Sequence, residues 1–142
     1  KKIFERMRVV LRMFNLEGRE EDIAGQLPGG YKQRLAMAAG LLHEPKILFL
    51  DEPTSGIDPL ARRTFWRQIT ALAAKGTTII ITTHFMDEAE YCDRMMIQDQ
   101  GKTIALGTPD EVRKRGGDNL TMNEAFIAIV EDNRKKEAKE NG

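Results

Sequence analysis

Lys46-Ile47-Leu48-Phe49-Leu50-Asp51-Glu52-Pro53-Thr54-Ser55-Gly56-Ile57-Asp58-Pro59 is the stretch that decides the fold. A short apolar run between turn signals reads as a strand buried on both faces, the pattern of a parallel sheet. It delivers two adjacent carboxylates, Asp51 and Glu52, at its C-terminal end. Ligands of open α/β sheets bind outside that end. Successive strand side chains face opposite ways, but the turn at Pro53 breaks the pattern, so the two acids can take different tasks. One suits Mg²⁺, which prefers carboxylates, waters and phosphate oxygens. The other suits orienting or deprotonating a water. Two solvated acids at a strand end are the simpler alternative. The apolar run before the pair and the Pro-Thr-Ser-Gly turn after it weigh against that.

Downstream, Asp58-Pro59 reads as a helix N-cap with Pro at the first helical position, and the helix runs to about Lys75, closed by Gly76. A β-branched strand follows at 78–83, then a short helix near 86–91. Strands at 95–98 and 103–106 flank the Gln100-Gly101 turn as a hairpin. Thr108-Pro109-Asp110-Glu111 and Thr121-Met122-Asn123-Glu124 are capping boxes that open helices. Met122, Ala125, Phe126 and Ile129 give the second of these an apolar face. Residues 131–142 are charged, carry no core residues, and read as a frayed helix end or linker. Upstream, Phe4, Met7, Leu11 and Phe14 recur at helical spacing over 2–15, and another helix runs from about 30 to 42 before Pro45. Phe65, Trp66, Met95 and Met96 are assigned to packing. The alternation of strand and helix gives an α/β fold with a largely parallel sheet over 46–106. Residues 1–44 form a separate helical layer.

The chain has 142 residues, 41% hydrophobic and 31% charged, with 22 basic and 22 acidic side chains. That hydrophobic content without charge imbalance excludes disorder of the whole chain. Zero net charge removes the electrostatic case for nucleic acid as a partner. The single Cys92 excludes a disulfide framework and a four-thiolate zinc site, and fits a reducing compartment. No apolar run is long enough to span a bilayer, and no signal peptide is expected. The first residue is Lys1 rather than Met, which suggests a piece of something longer.

Two further features carry chemistry. In Leu27-Pro28-Gly29-Gly30-Tyr31-Lys32-Gln33-Arg34-Leu35, a pair of glycines at a helix start leaves backbone N–H groups bare at the positive end of the helix dipole, a ready anion site. A plain Gly-rich turn is the alternative. His84 directly follows strand 78–83. A lone His is more often structural, but at the end of a neighbouring strand this one can reach the same ligand as Asp51 and Glu52. His43 lies near a helix C-terminus, where capping suits it.

Taken in order, these residues resemble an ABC-type ATPase domain. Leu27, Pro28, Gly29, Gly30 and Tyr31 look like the family's signature motif, residues 47–52 like Walker B, Ser55-Gly56-Ile57-Asp58 like the D-loop, and His84 like the switch histidine. The runs Asp51–Pro59 and Thr83-His84-Phe85-Met86-Asp87-Glu88-Ala89-Glu90 are similar to bacterial multidrug-type exporter ATPases, as is Met122-Asn123-Glu124-Ala125-Phe126-Ile127. The resemblance covers about residues 15–130 and implies a P-loop NTPase (RecA-like) core with part of an α-helical subdomain. It implies ATP and Mg²⁺ as cofactors. Asp51 would help hold Mg²⁺, and Glu52 would polarise the attacking water. His84 would contact the γ-phosphate. Gly29 and Gly30 would offer N–H groups to a nucleotide held by a partner domain, and Ser55 and Asp58 would couple two sites across a head-to-tail dimer. It further implies a transmembrane permease as partner, a peripheral place on the cytoplasmic face of the inner membrane, and no nucleic acid.

The sequence departs from the family pattern in three places. Pro28 stands where the family's common Ser offers a hydroxyl and an N–H, and Pro has neither. Tyr31 replaces the common Gln. No Gly-x-x-x-x-Gly-Lys-[Ser/Thr] occurs in the chain, so the loop that wraps nucleotide phosphates is not found here. The expectation is therefore the C-terminal half of an ATPase domain, inactive alone. Residues 1–44 would be a partial helical subdomain, 45–130 the back of the core, and 131–142 a charged tail or linker. One rival is the C-terminal lobe of a chromosome-maintenance or DNA-repair ATPase. Residues 1–26 lack the sustained heptads its coiled coil would need. A second is a catalytically inactive binding fragment, against which the retention of Glu52 and His84 speaks. A third is a soluble translation-factor ATPase, disfavoured by zero net charge and the exporter-like tail.

Overall fold

The computed structural model describes residues 2–140, which fall into two compact units that divide between Thr83 and His84.

In the first unit, helix α1 (Lys2–Met13) is followed by a 3₁₀ turn (Ala24–Gln26), helix α2 (Gly29–Leu41), strand β1 (Ile47–Asp51), helix α3 (Pro59–Ala74) and strand β2 (Thr78–Thr82). Local chemistry sets the ends of α3. The Asp58 carboxylate accepts from the N–H groups of Leu60 and Ala61, Pro59 occupies the first turn, and Gly76 follows at φ +97°. That conformation costs glycine nothing. The buried side of α3 is Phe65, Trp66, Ile69 and Leu72, with Phe65 edge-on to Trp66 at 5.6 Å between ring centres. The packing assignment for this pair thus holds. Helix α1 buries Val10 in its last turns and Phe14 just beyond, while Phe4, expected on the same apolar face, is exposed. Arg6 ties α1 to the end of α2 by donating to the Leu41 carbonyl at 3.1 Å and pairing with Glu44. The amide of Gln68 on α3 donates to the Met13 carbonyl.

Strands β1 and β2 run parallel in the register Ile47↔Thr78, Phe49↔Ile80 and Asp51↔Thr82. One face of this pair departs from expectation. Leu48 is buried, but Phe49 is 72% and Ile80 48% exposed. A strand buried on both faces needs a layer on each, and among the described residues the Ile47–Phe49 side has none. Asp51 and Thr82 share that open face, because residues paired in parallel register point the same way.

The second unit begins with a 3₁₀ segment (Met86–Tyr91) and continues through strand β3 (Met95–Asp99), strand β4 (Lys102–Gly107), helix α4 (Pro109–Gly116) and helix α5 (Met122–Glu140). Strands β3 and β4 form the expected antiparallel hairpin around Gln100-Gly101. Its core is Ile97, Ile104, Ala105, Val112 and Ile129, with Met95 and Phe126 against it. Met96, assigned to packing from sequence, is exposed, since its neighbour Met95 faces inward and strand residues alternate. Both capping boxes form. Thr108 and Glu111 bond reciprocally, as do Thr121 and Glu124, which also holds the Glu124 carboxyl below its usual range. Residues 131–140 continue α5 as helix. Arg134 grips the Asp99 carboxylate with two bonds of 2.9 and 3.0 Å, and Lys102 reaches Glu137 at 2.8 Å, so ion pairs rather than apolar packing hold that end.

Candidate functional site

The site of the first unit is built where β1 and β2 end. The Thr82 hydroxyl donates to Asp51 Oδ1 and accepts from the backbone N–H of Glu52 at 3.1 Å, and that same N–H donates to the Thr82 carbonyl. The Asp51 carboxylate is thus oriented by a hydroxyl on the neighbouring strand. Glu52 turns sharply away, at φ +41°, a left-handed conformation that is unusual for a residue with a side chain. The alternating side-chain pattern therefore breaks one residue earlier than Pro53. Both carboxylates are exposed, whereas Pro53 and Thr54 behind them are buried. Ser55 N–H closes back on the Glu52 carbonyl at 3.1 Å, Gly56 takes φ +73°, and the chain enters α3 through Asp58.

Helix α2 begins at Gly29 with no side chain capping it, since Pro28 at the N-cap offers none. The Pro28 carbonyl accepts from Tyr31 and Lys32, which continues the helix but leaves the first N–H groups pointing outward. A side chain added at Gly29 or Gly30 would meet nothing within 4 Å. Neither glycine is demanded by internal packing, and the space before the helix is open. Leu27 is buried. Two guanidinium groups lie over the Tyr31 ring, Arg19 at 4.1 Å and Arg34 at 4.7 Å from its centre, a cation–π arrangement. The amide of Gln33 donates to the Pro53 carbonyl at 2.9 Å. A cavity of about 540 Å³ between α2, the 56–58 turn and α3 is lined by Gly30, Gln33, Arg34, Gly56, Asp58 and Phe65, among others.

Asp51, Glu52, Ser55 and Asp58 thus lie along one continuous turn, and Gly30 shares a cavity with Asp58. His84 opens the second unit, where its ring centre lies 4.1 Å from that of Phe85 with the planes tilted by 37°. Thr82, Gln33, Arg19 and Arg34 were not singled out from sequence. Thr82 carried the one usable signal, a hydroxyl at the end of a β-branched strand next to the acidic one.

No group of three or more His, Cys, Asp or Glu side chains capable of holding a metal occurs among the described residues. The exposed Asp51 carboxylate with the Thr82 hydroxyl beside it suits Mg²⁺, which keeps most of its waters and takes one or two carboxylates plus phosphate oxygens. The donor set therefore fits the ion.

Comparison with known proteins agrees with this α/β arrangement. A family model described as "AAA domain, putative AbiEii toxin, Type IV TA system" matches residues 10–85. The probable multidrug ABC transporter ATP-binding protein YbhF of Escherichia coli K12 is 51% identical over 123 residues, covering 84% of this chain and 21% of that protein. The Nod factor export ATP-binding protein I of Burkholderia lata is 45% identical over 132 residues, covering 85% of this chain and 43% of that protein. A solved ATP-binding subunit of an ABC transporter superposes with a TM-score of 0.80 at 32% identity, over 90% of this chain and 54% of that one. The fold is that of a P-loop NTPase core. The chain belongs to the family of the matching model and to the ATP-binding domains of ABC transporters. It spans less than two thirds of each of these relatives.

Proposed function

We propose that this chain is the signature- and Walker B-bearing part of an ATP-binding domain that hydrolyses ATP to drive an exporter-type ABC transporter. The observation that carries the reading is the β1 end, where Thr82 orients Asp51 and a left-handed turn sends Glu52 away from it. Two adjacent acids are thereby given different directions and different tasks. The exporter names of the relatives support the transport class over a chromosome-maintenance lobe.

In this reading Asp51, steadied by Thr82, helps hold Mg²⁺ beside the nucleotide. An ion held there by Asp51 would supply charge neutralisation on the phosphate oxygens. Glu52 orients the attacking water and accepts its proton. The bare N–H groups of Gly29 and Gly30, at the positive end of the 13-residue α2, face the γ-phosphate of a nucleotide held by a second ATP-binding domain. Ser55 and Asp58 lie at that dimer interface, with Leu27, Pro28 and Tyr31 framing the contact. His84 is the residue that the switch-histidine resemblance assigns to the γ-phosphate. Pro28 brings no hydroxyl, so this trans contact rests on backbone N–H groups alone. The 142 residues themselves hold no Gly-x-x-x-x-Gly-Lys-[Ser/Thr] loop to wrap the phosphates. The domain works on the cytoplasmic face of the membrane against a transmembrane permease. No helix among the described residues is long and apolar enough to cross the membrane itself.

The test is Glu52→Gln in the full-length protein. Loss of the base lowers Mg-ATP turnover by about 10²–10⁴-fold, with ATP binding retained. Wild-type turnover in this variant would overturn the reading. Chelating Mg²⁺ abolishes turnover and adding it back restores it.

A further inference from the structure

We infer that Gln33 is a positioning residue that couples the N-terminus of α2 to the Glu52 turn. The inference rests on the role proposed above for Glu52. Glu52 sits in a left-handed conformation that neighbouring bonds must hold. Its N–H donates to Thr82, and its carbonyl accepts from Ser55. A further restraint comes from helix α2. The Gln33 Nε2 donates to the carbonyl of Pro53, the residue that fixes the exit direction of Glu52, at 2.9 Å.

Gln33 stands three residues after Gly30 and four after Gly29. Residues at these spacings share one face of a helix. A shift of the bare end of α2 therefore carries the Gln33 amide with it. On its open side Gln33 lines the cavity of about 540 Å³ rather than a packed layer. The hydrogen bond is thus a defined tie across a loosely filled region. Closure of α2 on a partner's phosphate would be transmitted through this bond to Pro53, and so to the carboxylate that orients water in the chain's own site. Gln33 touches neither nucleotide in this scheme and acts only through Glu52.

The experiment compares Gln33→Leu, Glu52→Gln and the double variant in the full-length protein, with Mg-ATP as the probe. Gln33→Leu lowers kcat about tenfold while KM for ATP stays within about twofold, since small misplacement of a reacting group acts on turnover. In the Glu52→Gln background, Gln33→Leu produces no further loss, because both changes act on one carboxylate. If Gln33→Leu melts without a cooperative transition, Gln33→Glu replaces it, having the same size but no donor at neutral pH. An inactive Glu52→Gln with an unchanged kcat in Gln33→Leu overturns this inference alone. So does a parallel loss of ATP affinity and thermal stability with kcat, or a further tenfold loss in the double variant. Wild-type turnover in Glu52→Gln removes the Glu52 role and this inference with it.

Discussion

Asp58 has a structural task visible in the geometry and a proposed task at the dimer interface, and substitution can separate them. Its Oδ1 accepts from the N–H of Leu60 at 3.0 Å and of Ala61 at 2.9 Å, satisfying two of the orphan donors that open the 16-residue α3. Losing such a cap costs about 1 kcal/mol. The negative charge at the helix start contributes a further ~0.5 kcal/mol. Asp58→Ala removes both, so the expected cost is about 1.5 kcal/mol. Asp58→Asn keeps an acceptor in the same place and loses only the charge, about 0.5 kcal/mol. For an ATP-binding domain of 150–250 residues, the alanine variant should melt roughly 3–6 °C lower and the asparagine variant only about 1–2 °C lower. Thermal denaturation followed by circular dichroism reads this directly. A shared melting temperature for Asp58→Ala and wild type would refute the capping argument, and equal losses for Ala and Asn would show that charge rather than hydrogen bonding is at work. Turnover then isolates the interface. If Asp58 couples two sites, Asp58→Asn loses ATP cooperativity although its fold is nearly intact.

Three further outcomes follow from the packing and charge of the two units. A Cβ at Gly116 would stand 2.5 Å from the Ala125 Cα, so Gly116→Ala forces α4 and α5 apart and costs about 1–3 kcal/mol; an unchanged urea midpoint refutes this. Phe65→Ala leaves a cavity beside Trp66 and costs about 3–5 kcal/mol by the same measurement; a loss below about 1 kcal/mol would mean that α3 collapses to fill the space. The hydrogen bond and charge of Arg134 hold the Asp99 carboxyl below its usual range. A lowered folded value means this contribution is complete above the unfolded pKa and is lost as pH falls through the folded one. Wild-type stability should therefore drop more steeply than that of Asp99→Asn below roughly pH 4, and identical slopes would contradict it.

The elements with local signals were legible in the sequence. Asp58-Pro59 and Gly76 bound α3 to within a residue, and Thr108 with Glu111 and Thr121 with Glu124 mark their helix starts, because caps and breakers act over three or four positions. The Gln100-Gly101 turn placed the hairpin for the same reason. The order of motifs identified the family. What stayed hidden depends on register between distant segments. Thr82 meets Asp51 across 31 residues, Gln33 meets Pro53 across 20, and Arg134 meets Asp99 across 35. A charged stretch such as 131–140 reads as a tail until its partners are known. The exposure of Phe49 escaped for a related reason, since an apolar run says what a strand prefers and not which layers stand beside it.

The left-handed backbone at Glu52 bears on how such a sequence would drift. An ordinary side chain in that conformation costs roughly 1–2 kcal/mol. Replacement by Gly would relieve this at an unfolded-chain entropy penalty of only about 0.4–1 kcal/mol. Random change at position 52 therefore has a downhill direction for folding, and it leads away from the carboxylate. A lineage released from ATP turnover would be expected to slide toward Gly there and gain melting temperature as it lost the base. A glutamate at φ +41° is held against that gradient. Under the proposed role, selection for hydrolysis supplies the opposing force.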